Sequence, residues 1–207
     1  WIPAQKLLGI CHLVSGGFLI AAASQTAYGP LYSCMLLSVM FYMPTIALSN
    51  SVAYNALDLA RLDTVKHFPP IRVWATVGFI AAMWFVDLTH IGGVQIKLTE
   101  WQLYVSAVLS FLLSVYSFSL PGCPVDRNVK ARSWVDTLGL RAFTLFKEKR
   151  MAIFFVFSML LGAALQITNA FGDSYIQSFG SMPQYADSAI VKHSVILLSL
   201  SQMSETL

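Results

Sequence analysis

Residues 151–172 read MAIFFVFSMLLGAALQITNAFG. Nothing in this stretch is charged, and it holds the roughly 20 residues that a helix needs to cross the hydrocarbon of a bilayer. Working outward, blocks of similar length and character run over Leu7–Ala27, Leu31–Ala53, Phe68–Leu88 and Trp101–Leu120, and another begins at Ala189. Across all 207 residues, 57% are hydrophobic and 11% charged, and the mean hydropathy is +0.66. A soluble domain of this size is not so apolar. The ten-residue alternation of a transmembrane barrel is missing. The expected fold class is therefore all-α, a multi-spanning helical membrane protein.

Polarity inside these blocks carries the functional reading. Gln166 and Asn169 stand i, i+3 on one helix, with Gly162 and Asp173 along the same stripe. Arg72, Thr76 and Phe79 follow at i, i+4, i+7 on another, and Gln202 and Glu205 at i, i+3 on a third. Amides, a guanidinium and a carboxylate are costly in hydrocarbon, so such faces turn toward a bundle interior or a wet cavity. Together they suggest a site for a polar solute. Each has a plainer reading beside it. Arg72, read as entering within a turn of Phe68-Pro69-Pro70-Ile71, is also placed to snorkel toward the cytoplasmic headgroups. The amides are equally suited to bonding a neighbouring helix. Glu205 would have to be paired, protonated or wet, which suits either proton coupling or substrate contact. Tyr42, Thr45 and Ser49 form a modest stripe around Pro44, and His12 and His193 read as packing or interfacial residues.

Basic residues set the orientation. Counted on alternate sides, Lys6, Arg61, Lys66 and the seven from Arg127 to Arg150 fall on one face, against Lys97 and Lys192 on the other. The first face is expected to be cytoplasmic. The net charge of +3 reflects this asymmetry and gives no basis for nucleic-acid binding. Pro121–Arg150 divides the chain: a polar linker with Gly122 and Pro124, then a helix opened by Ser133 and Asp136 as a capping box and closed by Lys147, Lys149 and Arg150. Trp134, Leu138, Arg141 and Leu145 give it two faces, suited to lying on the membrane or packing on the ends of the bundle. Cys11, Cys34 and Cys123 are scattered, so neither a disulfide framework nor a metal site is expected. HExxH, GxSxG, CxxC and phosphate-binding glycine loops are lacking, so no cofactor and no enzymatic chemistry is expected. The chain starts at Trp1 without methionine and stops at Leu207 while an apolar block is still running, and it reads as part of a longer protein.

Three strings carry a family resemblance. FPPIRVWATVGF over 68–79 resembles the start of the fifth transmembrane helix of bacterial nucleoside permeases of the nucleoside:proton symporter family. KRMAIFF over 149–155, continuing through FSMLLGA to LQITN at 165–169, resembles their seventh helix, and SQMSETL over 201–207 their eighth. The resemblance implies a major facilitator fold of twelve transmembrane helices, of which this chain holds about six. Residues 1–120 would be helices three to six of the N-terminal half, 121–150 the cytoplasmic connection, and 151–207 helix seven with part of helix eight. It further implies a multi-pass protein of the bacterial inner membrane, monomeric at full length, that imports uridine-like nucleosides together with protons by alternating access. The substrate-binding role then falls on Arg72, Thr76, Phe79, Gln166, Asn169, Gln202 and Glu205, with Glu205 also the proton-coupling candidate. Ala164 departs from the pattern, standing where the resemblance leads one to expect an acidic residue.

Two rival readings stay open on composition alone. A facilitator of the same fold for a sugar or another polar solute would share everything but the three strings. An intramembrane enzyme would need His, Asp or Glu clustered at cytoplasmic helix ends, where the spans offer amides.

Overall fold

The computed structural model describes residues 2–124, 140–185 and 187–204. Helices dominate: α1 (Ala4–Ala23), α2 (Tyr28–Leu59), α3 (Thr64–Leu88), α4 (Trp101–Ser117), α5 (Lys149–Ser178), the one-turn α6 (Ala189–Lys192) and α7 (Ser194–Ser204). Four of these, α1, α2, α3 and the helix that begins at Lys149, are long and apolar enough to cross a membrane. The chain forms two compact units, residues 1–125 and 126–205.

In the first unit α1 packs between α2 and α4, and its sequence explains why. Gly9 and Gly16 lie two turns apart on one face. A Cβ on Gly16 would come within 3.3 Å of the Ala107 carbonyl oxygen, and one on Gly9 within 3.1 Å of that of Ser114. Facing them, α4 offers Ala107, Ser110, Ser114 and Ser117, all buried. Small residues let the backbones approach, which is how apolar helices associate where lipid removes the hydrophobic drive. Ser114 Oγ then donates to the Gly9 carbonyl at 2.8 Å. On the α2 side, Ser38 Oγ donates to the Ser15 carbonyl at 3.2 Å, and the two hydroxyls lie 3.0 Å apart. Cys11 is buried in this core as a small apolar side chain, and all three cysteines are free.

The distribution of residues is the reverse of a soluble core. The largest fully buried side chains are Asp87, Ser15, Ser114, Ser194 and Ser199, while Leu112, Phe157, Leu160 and Ile167 are each more than 60% exposed. Such an exterior is stable only in hydrocarbon or against further apolar helices.

Several boundaries differ from the sequence expectation. The second block, expected over Leu31–Ala53, extends as α2 to Leu59 and ends in a Schellman motif. Arg61 sits at φ 56°, its N–H bonds Asp58 O, and Leu62 N–H bonds Leu57 O. The third, expected from Phe68, begins at Thr64 because Asp63 caps it, its carboxylate accepting from Val65 N–H at 2.9 Å. Pro69 and Pro70 are thereby inside α3, and the ring contact of Phe68 with Tyr54, at 4.4 Å between centroids, holds this turn against α2. The last block is not one helix. It breaks at His193 (φ −117°, ψ 40°) between α6 and α7.

Between α3 and α4 the chain makes a two-residue hairpin. Gly92 and Gly93, at φ 63° and 84°, supply the two positive φ values of a tight turn. Strands His90–Ile91 and Val94–Gln95 pair in antiparallel register. This returns Lys97 to Asp87, whose buried carboxylate it meets at 2.6 Å. Of the connection expected to be an amphipathic helix, Ser133, Asp136, Trp134 and Leu138 lie outside the described residues. Leu140–Lys147 is a 3-10 helix rather than α. Three residues per turn bring Phe143 over Phe146, 5.7 Å between centroids, and Phe146 packs on Phe155 of α5 at 4.7 Å.

Candidate functional site

The first polar face belongs to α3. Because the helix starts at Thr64, Arg72 lies about 12 Å along it at 1.5 Å per residue, two turns in rather than at its entrance. The added first turn carries Lys66 and His67, so the apolar part of the helix still begins at Phe68 and the snorkelling reading stands beside the functional one. Arg72 and Phe79 are exposed and Thr76 half-buried, on one side of the helix. Among the described residues the side chain of Arg72 makes no ion pair or hydrogen bond, and that of Thr76 no hydrogen bond. A fixed cation on an apolar helix surface is a demand for a partner. Arg72 presents five N–H donors in a rigid fork, Thr76 a hydroxyl, and Phe79 a ring face: hydrogen bonding and stacking on one strip.

The second face belongs to α5 and α7. Gln202 is 8% exposed, and its Nε2 donates to Asn169 Oδ1 at 3.5 Å, a long bond at the limit of the geometry. Of the three amides predicted for this site, Asn169 and Gln202 are therefore together. Gln166, one turn from Asn169, is exposed and has no partner among the described residues. Glu205 lies outside the described residues. The amide pair combines donors and acceptors on one small surface, the equipment for reading a ring edge bearing both.

Two carboxylates that the sequence reading left without a role emerge here. Asp173, on the same stripe as Gln166 and Asn169, accepts hydrogen bonds from Ser194 Oγ at the start of α7 and from Gln177 Nε2 at 2.7 Å. Asp87 is fully buried against Lys97. An acid at the far end of each apolar block was the signal for both. Among the described residues no three of His, Cys, Asp and Glu cluster to hold a metal ion. His12 packs its ring edge-on to Tyr42, 6.3 Å between centroids. In the Tyr42 stripe, Thr45 is buried and its hydroxyl bonds the Tyr42 carbonyl at 2.6 Å.

Comparison with known proteins places the chain in a family. A family profile described as Nucleoside H+ symporter matches residues 1–207. The xanthosine permease of Escherichia coli K12 is 50% identical over 205 residues, covering 99% of this chain and 48% of the permease. The nucleoside permease NupG of the same organism is 46% identical over 207 residues, covering 100% of this chain and 48% of NupG. Crystal structures of the nucleoside transporter NupG superpose on this chain with TM-scores of 0.83, for a point mutant, and 0.79. Both are 46% identical, and the match covers 100% of this chain and half of theirs. The chain spans about half the length of the curated relatives it matches. The fold is that of a major facilitator transporter, in part.

Proposed function

The chain belongs to the nucleoside H+ symporter family, and we propose that the protein it builds imports nucleosides with protons across the bacterial inner membrane by alternating access. The observation that carries this reading is the family match over residues 1–207. The geometry is consistent with it: unpartnered polar groups lie on strips of otherwise apolar helices.

In this reading residues 1–120 contribute helices three to six of the first six-helix half, 121–150 the cytoplasmic connection, and 151–207 the start of the second half. Arg72 donates to polar atoms of the nucleoside, Thr76 adds a hydroxyl, and Phe79 packs against a ring. Gln166, Asn169, Gln202 and Glu205 read base and ribose, with Glu205 also exchanging the coupled proton. The work is transport rather than catalysis, performed by a monomer in the lipid bilayer.

The test is a proton trace. Reconstituted full-length protein in vesicles, given external uridine, should raise the external pH as protons enter with the nucleoside. A sugar in place of uridine should give no signal. A response to the sugar alone would keep the fold and move the function to another polar solute, and uridine entry without any pH change would remove proton coupling.

A further inference from the structure

The Asn169–Gln202 contact raises the question of what sets α7 on α5 in the register that makes it. The bond itself is too long to do so, at 3.5 Å between two amides that could each turn elsewhere. Apolar packing contributes at Gly172, where a Cβ would stand 3.0 Å from Leu198 Cδ2, but a leucine terminus on a glycine does not fix rotation or rise. A polar contact on the same interface is that of Asp173 with Ser194. Ser194 is completely buried, opens α7 directly after the break at His193, and gives its hydroxyl hydrogen to one oxygen of the Asp173 carboxylate. The other carboxylate oxygen takes a hydrogen from Gln177 Nε2 at 2.7 Å, one turn further along α5. The carboxylate is thus held from two sides, one on its own helix and one on the helix to be placed. Two bonds held by one carboxylate, one from each helix, constrain the start of α7 more narrowly than the single amide contact at 3.5 Å.

We propose that Asp173 is a positioning residue of the nucleoside site: it pins the first residue of α7 to α5 and so brings Gln202 to Asn169. The inference rests on the proposed function, because it assigns a role within that site. It acts through hydrogen-bond acceptance and not through negative charge. The Asp173 carboxylate neither touches the nucleoside nor carries the coupled proton. The break at His193 belongs to the same device, since a continuous helix from Ala189 would not have to begin afresh at Ser194.

Three variants of the full-length protein separate the possibilities, each measured for membrane abundance, KM, maximal rate and protonophore sensitivity of uridine uptake. Asp173→Asn keeps an acceptor for Ser194 and, with the Gln177 amide turned over, both bonds without the charge. It should retain KM within about twofold and full protonophore sensitivity. Ser194→Ala removes the inter-helix bond with little change of volume and should raise KM about tenfold, the scale of one hydrogen bond, with the maximal rate nearly unchanged. Asp173→Ala should raise KM at least as much. If Asp173→Ala fails to reach the membrane, the other two decide. Asp173→Asn losing transport or proton drive, or Ser194→Ala leaving KM where it was, overturns the positioning role. Absence of uridine uptake by the unmodified protein would instead count against the proposed function.

Discussion

The packed helix α1 and the open helix α5 are built from similarly apolar sequence and meet opposite fates. α1 buries eight residues between α2 and α4: Gln5, Leu8, Gly9, Cys11, His12, Ser15, Gly16 and Ala22. α5, half again as long, buries none. Gly16 of α1 has Phe111, Ser110 and the Ala107 backbone within 3.3 Å of where a Cβ would stand; Gly162 of α5 has nothing within 4 Å. What separates them begins with their neighbours: α1 has the long helices α2 and α4 beside it, whereas this chain, about half the length of its curated relatives, gives α5 only short elements to pack on. On α1 the serines and glycines are consumed by helix contacts, Ser15 with Ser38 and Gly9 with Ser114. On α5, and equally on α3, polar groups such as Gln166 and Arg72 stay exposed and unpartnered among the described residues. In a membrane protein, polarity that is already paired holds helices together, and polarity left open on an apolar strip calls for a partner, which is a ligand or a further helix. Substitutions on α1 should therefore harm folding, and substitutions on α3 and α5 should harm function with folding intact.

The largest effect expected is at Arg72. Arg72→Ala in the full-length protein should lower uridine uptake about a hundredfold, the scale of losing hydrogen bonds from a charged donor to a desolvated ligand, at unchanged membrane abundance. A fall in abundance matching the fall in uptake would make Arg72 a folding residue and erase the distinction.

Gly16→Leu comes next and should do the reverse. The added side chain has backbone 3.3 Å away, an overpacking that costs about 1–3 kcal/mol or more. The thermal midpoint in detergent should drop, while Gly162→Leu should leave it within a degree or two. Equal drops would show that α5 is as closely packed as α1 in the whole protein.

Asn169→Ala should raise KM for uridine about tenfold, consistent with one or two lost hydrogen bonds, and leave the thermal midpoint nearly unmoved because the Gln202 contact is long. A large loss of stability would make this pair helix glue rather than a reader of substrate.

The smallest effect lies outside the spans. The Lys192 ammonium, 2.9 Å away, bonds the Asp187 carboxyl and holds it below its ordinary value. A depressed carboxylate stabilises the fold above its unfolded pKa, near 4, and that contribution is lost as the pH falls through the folded value. Asp187 is fully exposed, so solvent screens the pair. Between about pH 5 and 8, where this contribution is fully present, Asp187→Asn should lower the thermal midpoint only slightly and leave uptake unchanged; a large drop in that range would mark a stronger coupling than the exposed pair supports.

Much of this was legible in the sequence, for identifiable reasons. Length and hydropathy are local properties, so the blocks containing Met151–Gly172 and Phe68–Leu88 could be read directly. The stripes of Arg72, Thr76 and Phe79 and of Gln166 and Asn169 follow from helical periodicity alone. Boundaries were harder. The capping reach of Asp63 carries α3 four residues upstream of Phe68, and the helix accommodates both prolines near its start. The break at His193 leaves no hydrophobic trace, because Ala189 onward is apolar on both sides of it. Gly92-Gly93 is a hairpin signal in retrospect, but the strands around it are only two residues each. The pairings of Asp87 with Lys97 and of Asp173 with Ser194 depend on where chain segments return, which periodicity does not encode.

The central claim is that these open polar faces belong to a proton-driven nucleoside permease. Its most direct test is initial-rate uptake of radiolabelled uridine by cells that lack their own nucleoside transporters and express the full-length protein, with and without a protonophore. Saturable uptake that collapses when the proton gradient is dissipated is the predicted result. No uptake of uridine or of competing nucleosides, in cells where the protein is present in the membrane, would contradict the claim.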